Sequence, residues 1–424
     1  MSEESKNLEV PSAAIPPGAF RVPNVPKVTY QDPQSISTSY GWGNPVDFVL
    51  PNSIGKVIDM VLQIDFNVTD SAGTGTGNVN APPTPYWFER LEVSLGGSAP
   101  IETTNKDECF VETLAFLDVQ DFQTIAPMVN IGSDGSWNVG TGGVYDAGTA
   151  LTGSAQRLFL PLYSNCLMTM QPYLKGFTSE WKLRFILSQA APILAPGVAG
   201  DTFNITGLRL LITEAQLPPA IEGKLARQHE RSVVYNTINR LRHTDTKVPT
   251  GAGDIEYTLT TFGNESAGVL CYFRAVDGQT PLDYAKLGKR AAVNTINLRD
   301  AQGNPYYATD MDGNFNLYFV QPWSVKGEPL AGNRGKENYL LPFSSHVGAV
   351  LEDGRDLGAY QMSGKERIKL NLTSTQFTAL ATDLGTSSSN ANGAIFVAVS
   401  YDYMRIKVKG GKARVYYQRE VPSN

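Results

Sequence analysis

The residues with catalytic or metal-binding chemistry are few and scattered. The three histidines, His229, His243 and His346, share no metal-ligand spacing and have no nucleophile beside them. The sequence has no GxSxG, no HExxH and no phosphate loop. The three cysteines, Cys109, Cys166 and Cys271, are far apart with no CxxC, which reads as buried free thiols rather than a disulfide framework or a zinc site. DMDGNFN (Asp310 to Asn316) starts like a calcium loop, with acidic or amide residues at positions one, three and five. Phe315 replaces the sixth-position glycine and Gln321 the twelfth-position acid, so a Gly-containing turn between strands is the better reading. Glu89 and Glu92 are candidates for a glycosidase dyad, but their odd spacing puts them on opposite faces of a strand. Trp42, Trp87, Trp137, Trp181 and Trp323 offer either sugar-stacking platforms or core and interface anchors, the commoner role. No catalytic, cofactor-binding or metal-binding residue is assigned.

The elements around these residues are mostly strands. KVIDMVLQIDFNVT (Lys56 to Thr69) places Ile58, Met60, Leu62, Ile64 and Phe66 on one apolar face. In FERLEVSL, Leu91, Val93 and Leu95 alternate with polar residues, and two glycines then turn the chain. Further strands are expected at PVDFVLP, RLFLPLYS, EWKLRFILSQ, NITGLRLLITEAQL, SVVYNTINRLRHT, DIEYTLTTF, GVLCYFRAV, NLYFVQPW, NYLLPFSS, RIKLNLT, AIFVAVSYDYMRIKV and ARVYY. A helix is expected within Asn105 to Phe122, and a connector helix or linker from Pro218 to Ser232. The Gly-rich stretch from Gly132 to Ser154 reads as a long surface or interface loop.

Composition narrows the function classes. The chain has 424 residues, 42% hydrophobic but only 18% charged, below the ~25% usual for soluble domains. A net charge of −6 argues against tight wrapping of nucleic acid. The local basic runs, from Lys224 and from Arg405 to Arg414, read as solvated faces or, less often, as binding sites. The N-terminus MSEESKNLEVPSAAIPPGAF has no apolar core and does not read as a signal peptide. No run approaches ~18 apolar residues, so no membrane-spanning helix is expected.

The two halves carry a hint of repetition. Leu160-Pro161-Leu162-Tyr163-Ser164 precedes the alternating Trp181 to Leu187. Leu341-Pro342-Phe343-Ser344 precedes the alternating Arg367 to Leu372 in the same order. The expected fold class is therefore all-β: two consecutive eight-stranded jelly-roll sandwiches with short helices and long loops. The expected organisation is an extended N-terminal arm over 1–40, a first jelly roll over 41–218, a connector over 219–232 and a second jelly roll over 233–424.

FVLPNSIGKVIDMVLQIDFNVT, FERLEVSLGGSAPIET and the paired LPLYS and LPFSS make the chain resemble the double jelly-roll major capsid proteins of tailless icosahedral viruses, many of them membrane-containing bacteriophages. The resemblance implies a structural, non-enzymatic subunit of the virion, synthesised in host cytoplasm, that forms pseudo-hexagonal homotrimers tiling an icosahedral shell. It implies as partners other copies of itself, penton or minor capsid proteins and an internal viral membrane, with no direct sequence-specific nucleic-acid binding and no cofactor. It also implies that Gly132 to Ser154 and Leu298 to Asn338 lie outward or between subunits. The alternatives are a jelly-roll lectin or adhesin and a β-sandwich carbohydrate enzyme with a carboxylate pair.

Overall fold

The computed structural model describes residues 27–33, 43–69, 88–97, 99–105, 108, 112, 156–162, 166–187, 202–247, 249–275, 292–324, 338–353, 356–383 and 394–417. The Gly-rich loop from Gly132 to Ser154, residues 1–26, Cys109, Trp42, Trp87 and Trp137 lie outside them.

The first half contains β1 (Lys27–Gln31), β2 (Pro45–Leu50), β3 (Lys56–Thr69), β4 (Phe88–Leu95), β5 (Glu102–Asn105), β6 (Gln156–Pro161), β7 (Trp181–Leu187) and β8 (Thr202–Ala215). They form two four-stranded antiparallel sheets, ordered β1-β8-β3-β6 and β2-β7-β4-β5. The second half contains β9 (Val233–Asp245), β10 (Gly253–Thr258), β11 (Glu265–Ala275), β12 (Thr295–Arg299), β13 (Met311–Asp312), β14 (Asn338–Pro342), β15 (Tyr360–Gln361), β16 (Arg367–Leu372), β17 (Ala394–Lys409) and β18 (Lys412–Tyr417). Set aside β15 and β18, and its sheets read β9-β17-β11-β14 and β10-β16-β12-β13. Each sheet repeats the order of its first-half counterpart. The two LP motifs end the equivalent strands β6 and β14, and the two alternating segments are the equivalent strands β7 and β16.

Period-two patterning explains most of the cores. Trp181, Leu183, Phe185 and Leu187 are buried while the residues between them are half-exposed. Met60, Leu62 and Ile64 face inward on β3, as expected. Ile58 does not: the register with β8 slips between Val57 and Asp59, so Val57 is buried and Ile58 is turned out. Gly96 and Gly97 have φ of 62° and 75°, the left-handed backbone that glycine adopts readily, where the chain turns after β4.

Two other expectations change. Lys27–Gln31, inside the stretch read as an arm, is paired residue by residue with β8 as an edge strand. DMDGNFN and NLYFVQPW do not form a turn and a strand. Gly313–Phe315, Asn316–Val320 and Gln321–Ser324 make a continuous helical run, started by the Asp312 side chain accepting a hydrogen bond from Phe315 N at 2.9 Å. The aromatic composition reads as strand, but the Asp cap selects helix.

Among the described residues, three helices join or brace the two halves, α1 (Cys166–Met170), α2 (Pro219–Arg231) and α3 (Val347–Asp353), while α4 (Ser374–Asp383) packs on the second core through Leu380. α1 and α3 follow the equivalent strands β6 and β14, and they meet where Thr169 Oγ1 donates to Leu351 O at 2.8 Å. α2 carries the chain from β8 to β9, and α4 follows β16.

Strand ends show how the halves are oriented. Thr69 pairs with Thr202, Phe66 with Gln156, and Phe88 with Leu187, so the strands flanking residues 70–87, 106–155 and 188–201 end on one side of the first roll. Ala275 pairs with Ala394 and Tyr272 with Asn338, so the strands flanking 276–291, 325–337 and 384–393 likewise end on one side of the second. The opposite ends meet: Thr178 N donates to Gly411 O at 2.8 Å, joining the short-turn end of the first roll to the β17–β18 turn. From there the contacts advance in step toward both looped ends, Arg240 of β9 with Glu102 at the start of β5 and Arg242 with Glu108 beyond its end, so both rolls point the same way.

The two cores are not independent. β17 supplies Phe396 and Ala398 to the second core but Met404, Ile406 and Val408 to the first. Its partner β9 supplies Val233 and Tyr235 to the first, while Leu241 packs on the second. Ile406→Ala should cost about 2–5 kcal/mol, the range for emptying a buried aliphatic site. Urea unfolding followed by Trp181 fluorescence and by far-UV circular dichroism should give coincident transitions displaced together in this variant.

Candidate functional site: the seam between the two rolls

Among the described residues, the densest cluster of buried ionisable groups lies where β9 and β17 face the first half. Arg240 on β9 has 2% of its side chain exposed and donates to two carboxylates. Its Nη1 reaches Glu102 of β5 at 2.5 Å, and its Nε reaches both oxygens of Glu112 at 2.8 and 3.0 Å. The other Glu102 oxygen accepts from the backbone N of Cys166, at the start of α1, at 2.5 Å. Arg242, two residues along the same face of β9, donates to Glu108 at 2.7 Å. Glu108 also accepts from Asn105 N at 2.8 Å. Glu108 and Glu112 are both helical and four residues apart, so they share one face. The rest of the helix expected over Asn105 to Phe122 lies outside the described residues. The ring of Tyr401, paired with Arg240 across β9 and β17, lies 5.8 Å from the guanidinium carbon.

Burial sets the protonation of this cluster. Desolvation pushes Glu112 up to about 7, against the pull of Arg240, and repulsion from Glu108 and Glu102 adds to the rise. For Arg240, burial works toward neutrality, but the Glu112 and Glu102 carboxylates outweigh it and hold the guanidinium charged. Burial, with the charge of Glu102, keeps the Cys166 thiol protonated. The arrangement suits a structural clamp: a charge removed from water and held by charge-assisted bonds in one geometry.

A second set of contacts closes the seam at its short-turn end. Thr237 Oγ1 donates to Cys166 O at 2.9 Å, and Tyr235 OH lies 2.7 Å from His229 Nε2. His229 Nδ1 lies 2.7 Å from Leu225 O, one turn back in α2. Burial lowers the pKa of His229 and favours the neutral ring. The ring rests on Gly176, where an added Cβ would lie 2.2 Å from His229 Cδ2. His229, read from sequence as solvated or hydrogen-bonded, is buried and hydrogen-bonded.

The remaining sequence candidates are dispersed. His243 is buried against the edge of Phe262, and His346 lies beside Trp323. Cys166 and Cys271 are buried free thiols. Asp310 accepts from Lys369 at 3.0 Å while Asp312 caps the helical run, so the two acids of the calcium-like motif serve separate partners. Glu92 pairs with Arg90 at 2.8 Å. Trp181 is a core residue and Trp323 is exposed. The basic run from Arg405 to Arg414 forms the β17–β18 hairpin, with Arg405, Lys407, Lys409, Lys412 and Arg414 exposed on one face. Among the described residues, no group of three or more His, Cys, Asp or Glu is placed to hold a metal ion. No helix among them is long and apolar enough to cross a membrane. Sequence reasoning missed the seam because Arg240 lies 138 residues from Glu102 and 128 from Glu112, and nothing local marks them as partners.

Two co-oriented jelly rolls with the same strand order, joined by shared strands and a buried ionic seam, define a double jelly roll. Its structural neighbours are double jelly-roll major capsid proteins. The chain is similar to the PBCV-1 capsid subunit in a quasi-atomic virus model, with TM-score 0.63, 15% identity and coverage of 93% of this chain and 97% of that one. It is similar to VP54 of PBCV-1 fitted into a reconstruction of the virophage Sputnik, with TM-score 0.62, 14% identity and coverage of 93% and 98%. It is also similar to the Faustovirus major capsid protein, with TM-score 0.57, 10% identity and coverage of 91% of each chain. At these identities the likeness is one of fold. No family model and no curated protein matches the sequence. The neighbours give no support to the lectin alternative.

Two outcomes test the seam. Arg240→Ala should destabilise the fold by about 3–5 kcal/mol in chemical denaturation, because Glu102 and Glu112 keep their burial and lose their counter-charge. Glu112 has a folded pKa of about 7 against an ordinary value of 4.5, so the folded state holds the proton more tightly. Its contribution to stability is full below about 4.5 and is lost as pH rises through about 7. Asp402, raised to about 6 by burial, acts in the same direction. Melting temperatures of Glu112→Gln across this window should fall less steeply with pH than those of the unaltered chain.

Proposed function

We propose that this chain is the major capsid protein of an icosahedral virus, a structural subunit and not an enzyme. It self-assembles as a homotrimer whose six jelly rolls give a pseudo-hexagonal tile. The observation that carries the proposal is the fusion of two equivalent, co-oriented rolls through shared strands, because such a unit presents two similar upright sandwiches at a fixed angle. Three copies about one axis then approximate six-fold packing without needing six chains. The long coverage of capsid subunits in both directions supports it.

In this reading an N-terminal arm precedes β1, and the first roll runs through β8. Residues 219–232 connect it to the second roll over 233–424, whose last strands also serve the first core. The protein resides in the virion after synthesis in host cytoplasm. Its partners are other copies of itself, penton or minor capsid proteins and, in a membrane-containing virion, the lipid layer beneath. A bacteriophage host is the expectation from the sequence resemblance.

Light scattering of the purified chain at neutral pH should give three times 46.0 kDa, and concentrated protein should form flat hexagonal arrays or closed shells in electron micrographs. A stable monomer at micromolar concentration would refute the proposal.

A further inference from the structure

The helical run 313–324 carries three aromatic residues at four-residue steps. Phe315 is 49% exposed, Phe319 60% and Trp323 58%. The Phe315 and Phe319 rings stack at 5.0 Å, and Trp323 rests against His346 at 5.6 Å. An exposed stripe of this kind amounts to ~300 Å² of apolar surface, comparable to the largest patch on a typical monomer, which is often functional.

The stripe is held rigidly from behind. Asn316 is fully buried, and its side chain bonds both backbone groups of Leu340 on the edge strand β14, donating to the carbonyl at 2.7 Å and accepting from the N–H at 3.1 Å. Gly313 allows the run to approach the segment just before β12, since a Cβ there would lie 2.2 Å from Val293 O. Ser324 Oγ donates to Val320 O at 2.8 Å at the far end. Docking a fixed helix costs little ordering entropy, which favours a role in binding.

A second apolar patch lies on the first roll. The outer face of the β1-β8-β3 sheet carries Val28 and Ile58, 45% and 37% exposed, with Val61, Leu211 and Thr213 half-exposed between them. The register slip at Val57/Asp59 is what aims Ile58 outward. Arg209 and Asp32, 3.1 Å apart, form an ion pair at the edge of this face, and the half-exposed Asp59, opposite Thr213, lies within it. The equivalent outer face of the second roll, at Arg240 and Arg242 of β9, is covered within the chain by the helical Glu112 and Glu108 that follow β5, the counterpart of the helical run that follows β13.

We infer that the Phe315–Phe319–Trp323 stripe of one copy docks on the Val28–Ile58 face of a second copy of this chain, forming the ring-closing contact of the trimer. The inference rests on the self-assembly reading and adds the surfaces that perform it. The two patches are unlike in shape and sit on different rolls, so the contact is heterologous, and a heterologous contact closes into a ring when its rotation permits. The convex helix supplies aromatic anchors, and the sheet face supplies the flat acceptor.

The test uses the full chain and two double variants that place charge on each patch, Phe319→Glu with Trp323→Glu for the stripe and Val28→Glu with Ile58→Glu for the acceptor. Each double variant alone should be monomeric in analytical ultracentrifugation, with the concentration for half-assembly raised about thirtyfold or more, as for loss of central anchors. Mixed one to one, they should form a heterodimer and no larger ring, because one intact stripe then faces one intact acceptor. That pair also shows that both variants are folded. If the unaltered chain is trimeric and the variants remain so, the inference fails and the assembly reading stands. If the mixture stays monomeric, the two patches are not partners and the inference fails. If the stripe variant melts earlier while staying trimeric, the stripe is covered within its own chain, which also overturns the inference. A monomeric unaltered chain removes the assembly reading, and the inference with it.

Discussion

The β9–β17 ribbon is the constraint on which the rest of the molecule depends. Paired over thirteen positions from Phe396↔Asp245 to Val408↔Val233, it is longer than either core needs. One face runs from the second core at Phe396 and Ala398 to the first at Ile406 and Tyr235. The other face presents Arg240 and Tyr401 to the acids of the first half. An antiparallel ladder of this length tolerates twist but not hinge bending, because bending breaks hydrogen bonds that would be left buried. The two rolls are therefore one mechanical body, although each has its own pair of sheets and its own strand order. The tiling role proposed above requires this, since any swivel between the halves would reappear as error in the lattice.

The buried ions refine that constraint rather than create it. Hydrophobic residues of equal volume at Glu102, Glu112 and Arg240 would cost less desolvation and give comparable stability. What the ions add is direction. Arg240 meets two carboxylates from separate segments, Glu102 on β5 and Glu112 seven residues beyond its end, and satisfies both only at one relative position of the rolls. Apolar packing alone permits small slides at little cost, but a guanidinium fork does not. The His229–Tyr235 contact and the Gly411–Thr178 bond act in the same way at the far end of the ribbon, so the seam is pinned at both ends.

Legibility in the sequence depends on how local each cause is. The period of Trp181 to Leu187 is local, and so is the LP ending of β6 and β14. These are enough to expect a duplicated sandwich in the right order. The outward turn of Ile58 comes from a register slip against β8, which lies far along the chain, and no pattern within Lys56 to Thr69 announces it. NLYFVQPW carries strand-forming aromatics, yet Asp312 in front of it offers a helix cap. The cap is visible in the sequence and is outweighed there by composition. Lys27–Gln31 sits among prolines and looks like an arm; only its partner β8 makes it a strand. The seam is the least legible feature, since a buried Arg and two buried Glu are indistinguishable in one sequence from exposed ones.

The lack of a recognisable reaction centre in the sequence takes on meaning once the polarity of the molecule is considered. The strands flanking the longer connections end on one side in both rolls, and the short turns, α2 and the β17–β18 hairpin gather on the other. A protein built to cradle a substrate concentrates its buried polar groups around a cavity. Here the ionised cluster is sealed between two halves of the same chain, with Arg240 at 2% side-chain exposure, where no ligand can reach it. The most exposed aromatic residues among those described, by contrast, stand on a helix braced by Asn316. The described residues bury polar chemistry that fixes shape and leave apolar surface outside on a rigid mount. It is what the proposed self-assembly requires of a subunit.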